Sequence, residues 1–199
     1  MRAMARTLVL IAGPSGSGKS RVTRLAADGR HVVALSLDDF YRDVDHPGLP
    51  MTPMGIPDWD DVACWDLEHA VATLKKLLDE GRAEMPVYDI STSRRTGTRT
   101  LELGTAEFVL AEGIFAIQTL AAARAAGMKV EAMWLDRKRS ANFVRRLRRD
   151  LKEHRKPPRV LLRRGVALFR DEPGLRRTAM EAGFTCMTMK QALAAVKRR

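Results

Sequence analysis

Residues 13–20 read Gly13-Pro14-Ser15-Gly16-Ser17-Gly18-Lys19-Ser20 and fill every fixed position of the phosphate-binding loop G-x-x-x-x-G-K-[ST]. That motif works only between a strand and a helix N-terminus. Both flanks agree. Thr7-Leu8-Val9-Leu10-Ile11-Ala12 is a continuous apolar run, as in a strand buried on both faces. Lys19 to Ala27 is helix-compatible and stops near Gly29. The glycines let backbone N–H groups turn toward phosphate oxygens, and the helix start adds partial positive charge. In such a loop the lysine reaches the β- and γ-phosphates and the hydroxyl after it ligates Mg²⁺. Gly13, Ser15, Gly16, Ser17, Gly18, Lys19 and Ser20 are therefore the candidate ligands of a nucleoside triphosphate, with ATP and Mg²⁺ as the expected pair.

Strands and helices alternate along the rest of the chain. Val32 to Ser36 reads as a second buried strand, with Asp38-Asp39-Phe40-Tyr41 just past its end. Residues 42–58 hold four of the nine prolines and read as a loop or flap. Asp66 caps a helix with apolar positions Leu67, Val71, Leu74 and Leu78, ended by Gly81. A polar strand pair is predicted around Val87-Tyr88 and Thr98 to Leu103. Further strands follow at Phe108 to Ala111, closed by Glu112-Gly113, and at Val130 to Leu135. Helices are predicted at Ile117 to Ala126 and Val160 to Phe169. A last short strand and helix cover Phe184 to Met187 and Lys190 to Val196. This alternation predicts an α/β fold: a mostly parallel sheet between helical layers, in the P-loop NTPase manner, with the site at the strands' C-terminal ends. No linker interrupts the 199 residues, enough for one domain and short for two.

The net charge of +11 is concentrated in one place. Arg137 to Arg164 hold thirteen Lys/Arg against Asp150 and Glu153, so this segment carries the whole surplus and the remainder is neutral. Phe143, Leu147 and Leu151 recur every four residues, a stripe one residue wide, so this helix is expected to dock loosely. A lid over a triphosphate, a solvated charged helix and a nucleic-acid surface all fit such a segment. Beside a phosphate loop the lid is the preferred reading, over about residues 139–160, and nucleic acid is disfavoured as a partner.

Other classes are excluded more simply. No run approaches the roughly 20 apolar residues of a membrane span. Met1 to Arg6 lead straight into a strand without a signal-peptide pattern. Cys64 and Cys186 are far apart and outside any C-x-x-C, and His31, His46, His69 and His154 form no ligand cluster, so a reducing cytoplasm is expected. His69 is read as a surface residue on the helix that Asp66 caps. The sole asparagine, Asn142, precedes Phe143, so the Asn-Lys-x-Asp box of GTPases is absent, as is the Leu-Ser-Gly-Gly-Gln segment of transporter ATPases.

Two acids, Asp38 and Glu112, follow or end apolar strands where the loop's ligand would lie. One can serve Mg²⁺ while the other takes a proton from an attacking hydroxyl, a division that points to a kinase for small hydroxylated molecules. Spacing leaves open which acid does which.

Several segments carry a family resemblance in order, over about residues 7–116. They are the loop at 13–20, Ser36-Leu37-Asp38-Asp39-Phe40-Tyr41, Pro86-Val87-Tyr88-Asp89 and Ala111-Glu112-Gly113-Ile114-Phe115. Together these resemble uridine kinases and the wider phosphoribulokinase/uridine kinase group. Trp59-Asp60-Asp61-Val62-Ala63-Cys64-Trp65-Asp66 resembles a degraded form of that group's Phe-Asp-His-Pro-Asp-Ala-Phe-Asp. The resemblance implies that Asp38 activates the acceptor hydroxyl and that Glu112 sits near Mg²⁺. It implies that Tyr41, Trp59, Asp60 and Tyr88 hold the acceptor, within flaps at about 42–66 and 84–103, and Ser93 and Arg94 join them as candidate acceptor-binding residues. Arg145, Arg146 and Arg149 would be the lid's phosphate-binding arginines. Two departures stand out. Ser93, followed by Arg94 and Arg95, replaces the His expected five residues after the Tyr, and Asp61 and Val62 replace His and Pro. The catalytic half of the pattern is intact and the base-reading half is not. The implied function is a kinase for a nucleoside or nucleoside-like acceptor. Another small alcohol, or a nucleic-acid-stimulated NTPase, are the alternatives.

Overall fold

The computed structural model describes residues 6–53, 55–152 and 158–197. Five strands form one parallel sheet: β1 (Thr7–Ala12), β2 (Val32–Ser36), β5 (Phe108–Glu112), β6 (Val130–Leu135) and β7 (Thr185–Met187), in the order β2-β5-β1-β6-β7. β1 lies in the middle and all six of its residues are buried. Its side chains alternate between two apolar layers, as strand geometry requires. Leu8 and Leu10 face a core built with α2 (Leu67–Glu80), α3 (Ala116–Ala125) and α5 (Pro158–Ala182). Val9 and Ile11 face a second core with α1 (Lys19–Ala26) and α6 (Met189–Lys197). This is the predicted three-layer α/β arrangement, and a continuous apolar run is what a two-faced burial demands.

Outside the sheet, β3 (Arg82–Asp89) and β4 (Arg94–Glu102) pair as an antiparallel hairpin with an irregularity at Val87/Tyr88. Both strands run further than the sequence predicts. The hairpin's turn includes Ser93, the one non-glycine in the left-handed region (φ 53°) among the described residues. Arg95 ties it down. Its backbone N–H donates to Asp43 Oδ1 at 2.6 Å, and its guanidinium donates to the carbonyls of Tyr41 and Phe40 and to Asp66 Oδ2. The hairpin is thereby fixed beside the segment that follows β2.

The helices differ from expectation in two places. Asp66 caps α2 as predicted, accepting from the His69 N–H at 3.2 Å, but His69 is half-buried, its ring edge-on to Phe40 at 5.3 Å. α5 is far longer than predicted and continues through Pro173. A proline there removes the bond to the carbonyl four residues back, that of Phe169. Arg139 from α4 (Arg139–Lys152) donates its Nη2 to that carbonyl instead. Glu153, His154 and the rest of 153–157, within the predicted lid, lie outside the described residues, as do Met1 to Ala5 of the predicted signal-free N-terminus. Among the described residues no helix is long and apolar enough to cross a membrane, and Cys64 and Cys186 are both free.

Candidate active site

The loop after β1 wraps the start of α1. Gly13, Gly16 and Gly18 all have positive φ, at 149°, 88° and 101°. Side chains would also collide there: a Cβ on Gly13 would lie 3.1 Å from the Leu135 carbonyl oxygen, and one on Gly16 would lie 2.5 Å from that of Asn142. α1 begins with no side-chain cap and no acid in its first turn, so its leading N–H groups face an anion's position without competition. The Ser17 Oγ is buried and has no hydrogen-bond partner. Such a cradle fits a polyphosphate.

Lys19 is 8% exposed, and its Nζ donates to the Gly13 carbonyl at 2.8 Å and to the Pro14 carbonyl at 3.4 Å. Burial holds its pKa below the usual lysine range, while the Glu112 and Asp38 carboxylates push back. Ser20 Oγ donates to Glu112 Oε1 at 2.6 Å, which joins the loop's hydroxyl to the C-terminal end of β5. Among the described residues no three His, Cys, Asp or Glu side chains converge as a metal cage. Mg²⁺ held largely by substrate phosphates needs only one or two protein ligands, and Ser20 with Glu112 fits that pattern.

Asp38 sits in the short 3₁₀ turn Leu37–Phe40 after β2, whose N-cap Ser36 accepts from the Asp38 N–H. Its Oδ1 is buried with no hydrogen-bond partner. Burial, then the Glu112 charge, pushes this carboxyl up to about 6; Lys19 and Arg149 oppose the rise and Asp39 adds to it. The turn fits only because Gly113 has no side chain: a Cβ there would lie 2.7 Å from Leu37 Cβ and 3.2 Å from Asp38 Oδ1. Gly113 is a site residue that the motif contained but spacing did not single out. Lys19, Asp38, Glu112 and Ser20 thus form one cluster, with a carboxyl poised near neutrality at its centre.

α4 crosses this cluster and corrects the sequence reading. From the apolar stripe Phe143 packs on α5, its ring edge-on to Phe169 at 6.2 Å, but Leu147 is half-buried and Leu151 is 42% exposed, while Asn142 and Arg146 are buried. Docking is close, not loose, since α4 backbone meets Gly16. The three candidate arginines therefore separate. Arg149 reaches the loop, its Nη2 donating to Ser15 Oγ at 3.3 Å while the guanidinium also pairs with the neighbouring Asp150 at 3.0 Å. Arg146 turns away to the Gly165 carbonyl at 2.8 Å, and Arg145 is exposed. The predicted role of Arg146 against a phosphate is not supported by this geometry, because its guanidinium is spent on the Gly165 carbonyl; Arg145, one turn before Arg149 on the same side of α4, is exposed and stays a candidate.

Next to Asp38 stands an aromatic wall. Tyr41 lies 5.7 Å from Trp59, 5.6 Å from Tyr88 and 5.7 Å from Phe115, centroid to centroid, and its hydroxyl donates to the Trp59 carbonyl at 2.9 Å. Burial pushes the Tyr88 phenol up to about 12, and it donates to the Arg42 carbonyl at 3.3 Å. Phe115 was not among the predicted site residues, although its segment was. Asp60 is in the exposed loop beside Trp59. Arg94 is drawn off: its guanidinium pairs with Asp45 at 2.9 Å on the surface, so it is not directed at an acceptor as the sequence reading expected. Arg95, likewise, is spent on the hairpin's anchorage.

The sequence profile of the Phosphoribulokinase / Uridine kinase family matches residues 8–156. The chain belongs to that family. Its membership makes it a phosphotransferase acting on a small-molecule alcohol. A uridine kinase of Staphylococcus aureus (strain JH9) is 30% identical over 152 residues, covering 75% of this chain and 70% of the relative. The uridine-cytidine kinase-like 1 protein of Mus musculus is 32% identical over 147 residues, covering 72% of this chain but only 26% of the relative, so the chain spans about a quarter of that protein. Among solved structures, a putative fructose transport system kinase from Silicibacter sp. TM1040 superposes with a TM-score of 0.60. The match covers 94% of this chain and 90% of that one at 18% identity, which bears on the fold.

Proposed function

We propose that this chain transfers the γ-phosphoryl group of ATP, with Mg²⁺, to a hydroxyl of a nucleoside or nucleoside-like small molecule. The observation that carries this reading is the Asp38 carboxyl, with a pKa near 6, set between the Lys19–Glu112–Ser20 cluster and the aromatic wall. The loop N–H groups and Lys19 hold the phosphates; Ser20 and Glu112 hold the metal. When bound, the nucleotide supplies the phosphoryl group and the ion neutralises its charge. Asp38 accepts the acceptor's hydroxyl proton, and its raised pKa makes it a stronger base than an ordinary carboxylate while leaving it mostly ionised at neutral pH. Tyr41, Trp59 and Tyr88 give a flat acceptor apolar contact, with Phe115 buried behind Tyr41. A screen of nucleosides and other small alcohols for ATP consumption coupled to phosphorylated product tests this directly. ATP turnover stimulated by RNA or DNA but by no small acceptor would refute it.

Uridine and cytidine are expected to be poor acceptors compared with the true one. A site rejects a ligand when its own polar groups stay unpaired. Ser93 is shorter than the imidazole it replaces, and its backbone is committed to the turn, where its carbonyl accepts from Val44. Another small alcohol therefore stays as the second reading. Efficient turnover of uridine, with kcat/KM in the range of about 10⁴–10⁸ M⁻¹s⁻¹ ordinary for enzymes, would overturn this expectation.

Arg149 is the lid residue. Its planar fork can bond two phosphate oxygens at once. Arg149→Ala is expected to lower kcat on the order of 10²-fold, with ATP affinity much less changed, because the charge matters most in the transition state. Amide exchange across α4 should slow when ATP, Mg²⁺ and acceptor are added. Slowing only with RNA or DNA would count against the lid.

A further inference from the structure

Among the described residues, polar contacts join α4 to α5 along one face of each helix. They start from Arg139, Asn142 and Arg146 and end on Phe169, Glu172 and Gly165. Spacings of three and four residues place such positions side by side on a helix. Arg139 donates to the Phe169 carbonyl that Pro173 leaves free, and its guanidinium lies 4.1 Å from the Phe169 ring centroid. Asn142 Nδ2 donates to Glu172 Oε1 at 3.1 Å. Gly165 allows the close approach: a Cβ there would lie 2.9 Å from Phe143 Cε2. Glu172 is 7% exposed, Asn142 1% and Arg146 7%, so the centre of the seam is buried. Burial pushes the Glu172 carboxyl above its ordinary range; the Asn142 hydrogen bond and the Arg139 and Arg146 charges oppose the rise, and Asp136 adds to it.

The same turns of α4 that meet α5 through side chains meet the phosphate loop through backbone. The Asn142 carbonyl and the Arg146 N–H face Gly16, and Arg149 lies three residues beyond Arg146. Apolar side chains would hold two helices together equally well. A buried charged and hydrogen-bonded set adds a fixed rotation and axial position, at a cost in stability. Here the rotation decides which arginine points at the loop.

We propose that Glu172 is a positioning residue for phosphoryl transfer: through Asn142 and the α4–α5 polar seam it fixes the rotation of α4 and so holds the Arg149 guanidinium against the phosphate loop. This rests on the kinase reading above. Glu172 acts through α4 and not on the reacting atoms.

Glu172→Gln keeps the side chain's size and removes the charge. It should lower kcat about tenfold with the KM for ATP within about twofold of wild type. In an Arg149→Ala background the same change should cost less than about twofold, because the group it positions is gone. Losses that multiply across the two sites would overturn the proposal. Amide exchange along α4 should quicken in Glu172→Gln while β1 and β5 stay as in wild type; unchanged exchange in α4 would overturn it equally. Exchange needs no turnover. A wild-type protein that phosphorylates no acceptor would thus sink the kinase reading and leave the seam to be judged by exchange. If Glu172→Gln does not fold, Asn142→Ala breaks the Asn142–Glu172 hydrogen bond itself, from the other helix, and carries the same cycle.

Discussion

Lys19→Ala is expected to give a folded protein that has lost turnover with every acceptor, on the order of 10³-fold. The lysine's charge is buried among the Gly13 and Pro14 carbonyls and faces two carboxylates, Glu112 and Asp38. Its removal leaves the glycine turns and the start of α1 in place, because these are set by backbone geometry and not by the side chain. What disappears is the Lys19 ammonium in the loop, where negative charge spreads during transfer. A second consequence follows from the cluster. Lys19 counters the rise in the Asp38 pKa, so its loss should push that carboxyl further up and move the acid limb of any residual activity to higher pH. The checks are steady-state turnover against several acceptors, a melting curve and a pH profile. Near-wild-type activity in this variant would mean that the loop is not the active site.

The loop, Asp38 and Glu112 were legible because their chemistry is local. A glycine pattern and an acid at a strand end need only the neighbouring residues to be placed. Tyr41 and Tyr88 were reached through the resemblance alone, since nothing in their spacing brings the hairpin beside the turn after β2; Arg95 does that, over more than 50 residues of chain. The anchorage of α4 was not legible. Hydrophobic periodicity counts apolar residues, and the face that docks sets Arg139, Asn142 and Arg146 around one stripe residue, Phe143. Nor could sequence separate Arg146 from Arg149. They are three residues apart, and which one faces the phosphates depends on helix phase, set by contact with Gly16 and with α5. The full length of α5 was hidden for a related reason. Pro173 reads as a stop, and the donor that replaces its missing N–H comes from another helix.

Asp38→Asn is expected to lose roughly 10²- to 10⁴-fold in kcat, the usual worth of a positioned general base, with ATP still bound. For the wild-type protein, kcat/KM should fall on the acid side with a midpoint near pH 6, where this carboxyl takes up its proton. An acid limb near the ordinary carboxylate value would mean that Asp38 is not the base. The variant that loses activity should also gain stability. The folded-state pKa of about 6 lies above the ordinary 3.8, so the fold favours the neutral carboxyl. That preference supports folding fully below about pH 4 and is lost as pH rises through about 6. Asparagine has the shape of the neutral acid and no charge to bury. The gain should be about 1 kcal/mol at pH 4.5 and about 3 kcal/mol at pH 7.5, readable as a rise of several degrees in Tm. Equal loss of ATP binding would make Asp38 chiefly a metal-site residue and leave Glu112 as the base. Activity lost without any pH-dependent gain in stability would place the proton elsewhere, because the burial that raises the pKa is what makes Asp38 costly to keep and useful as a base.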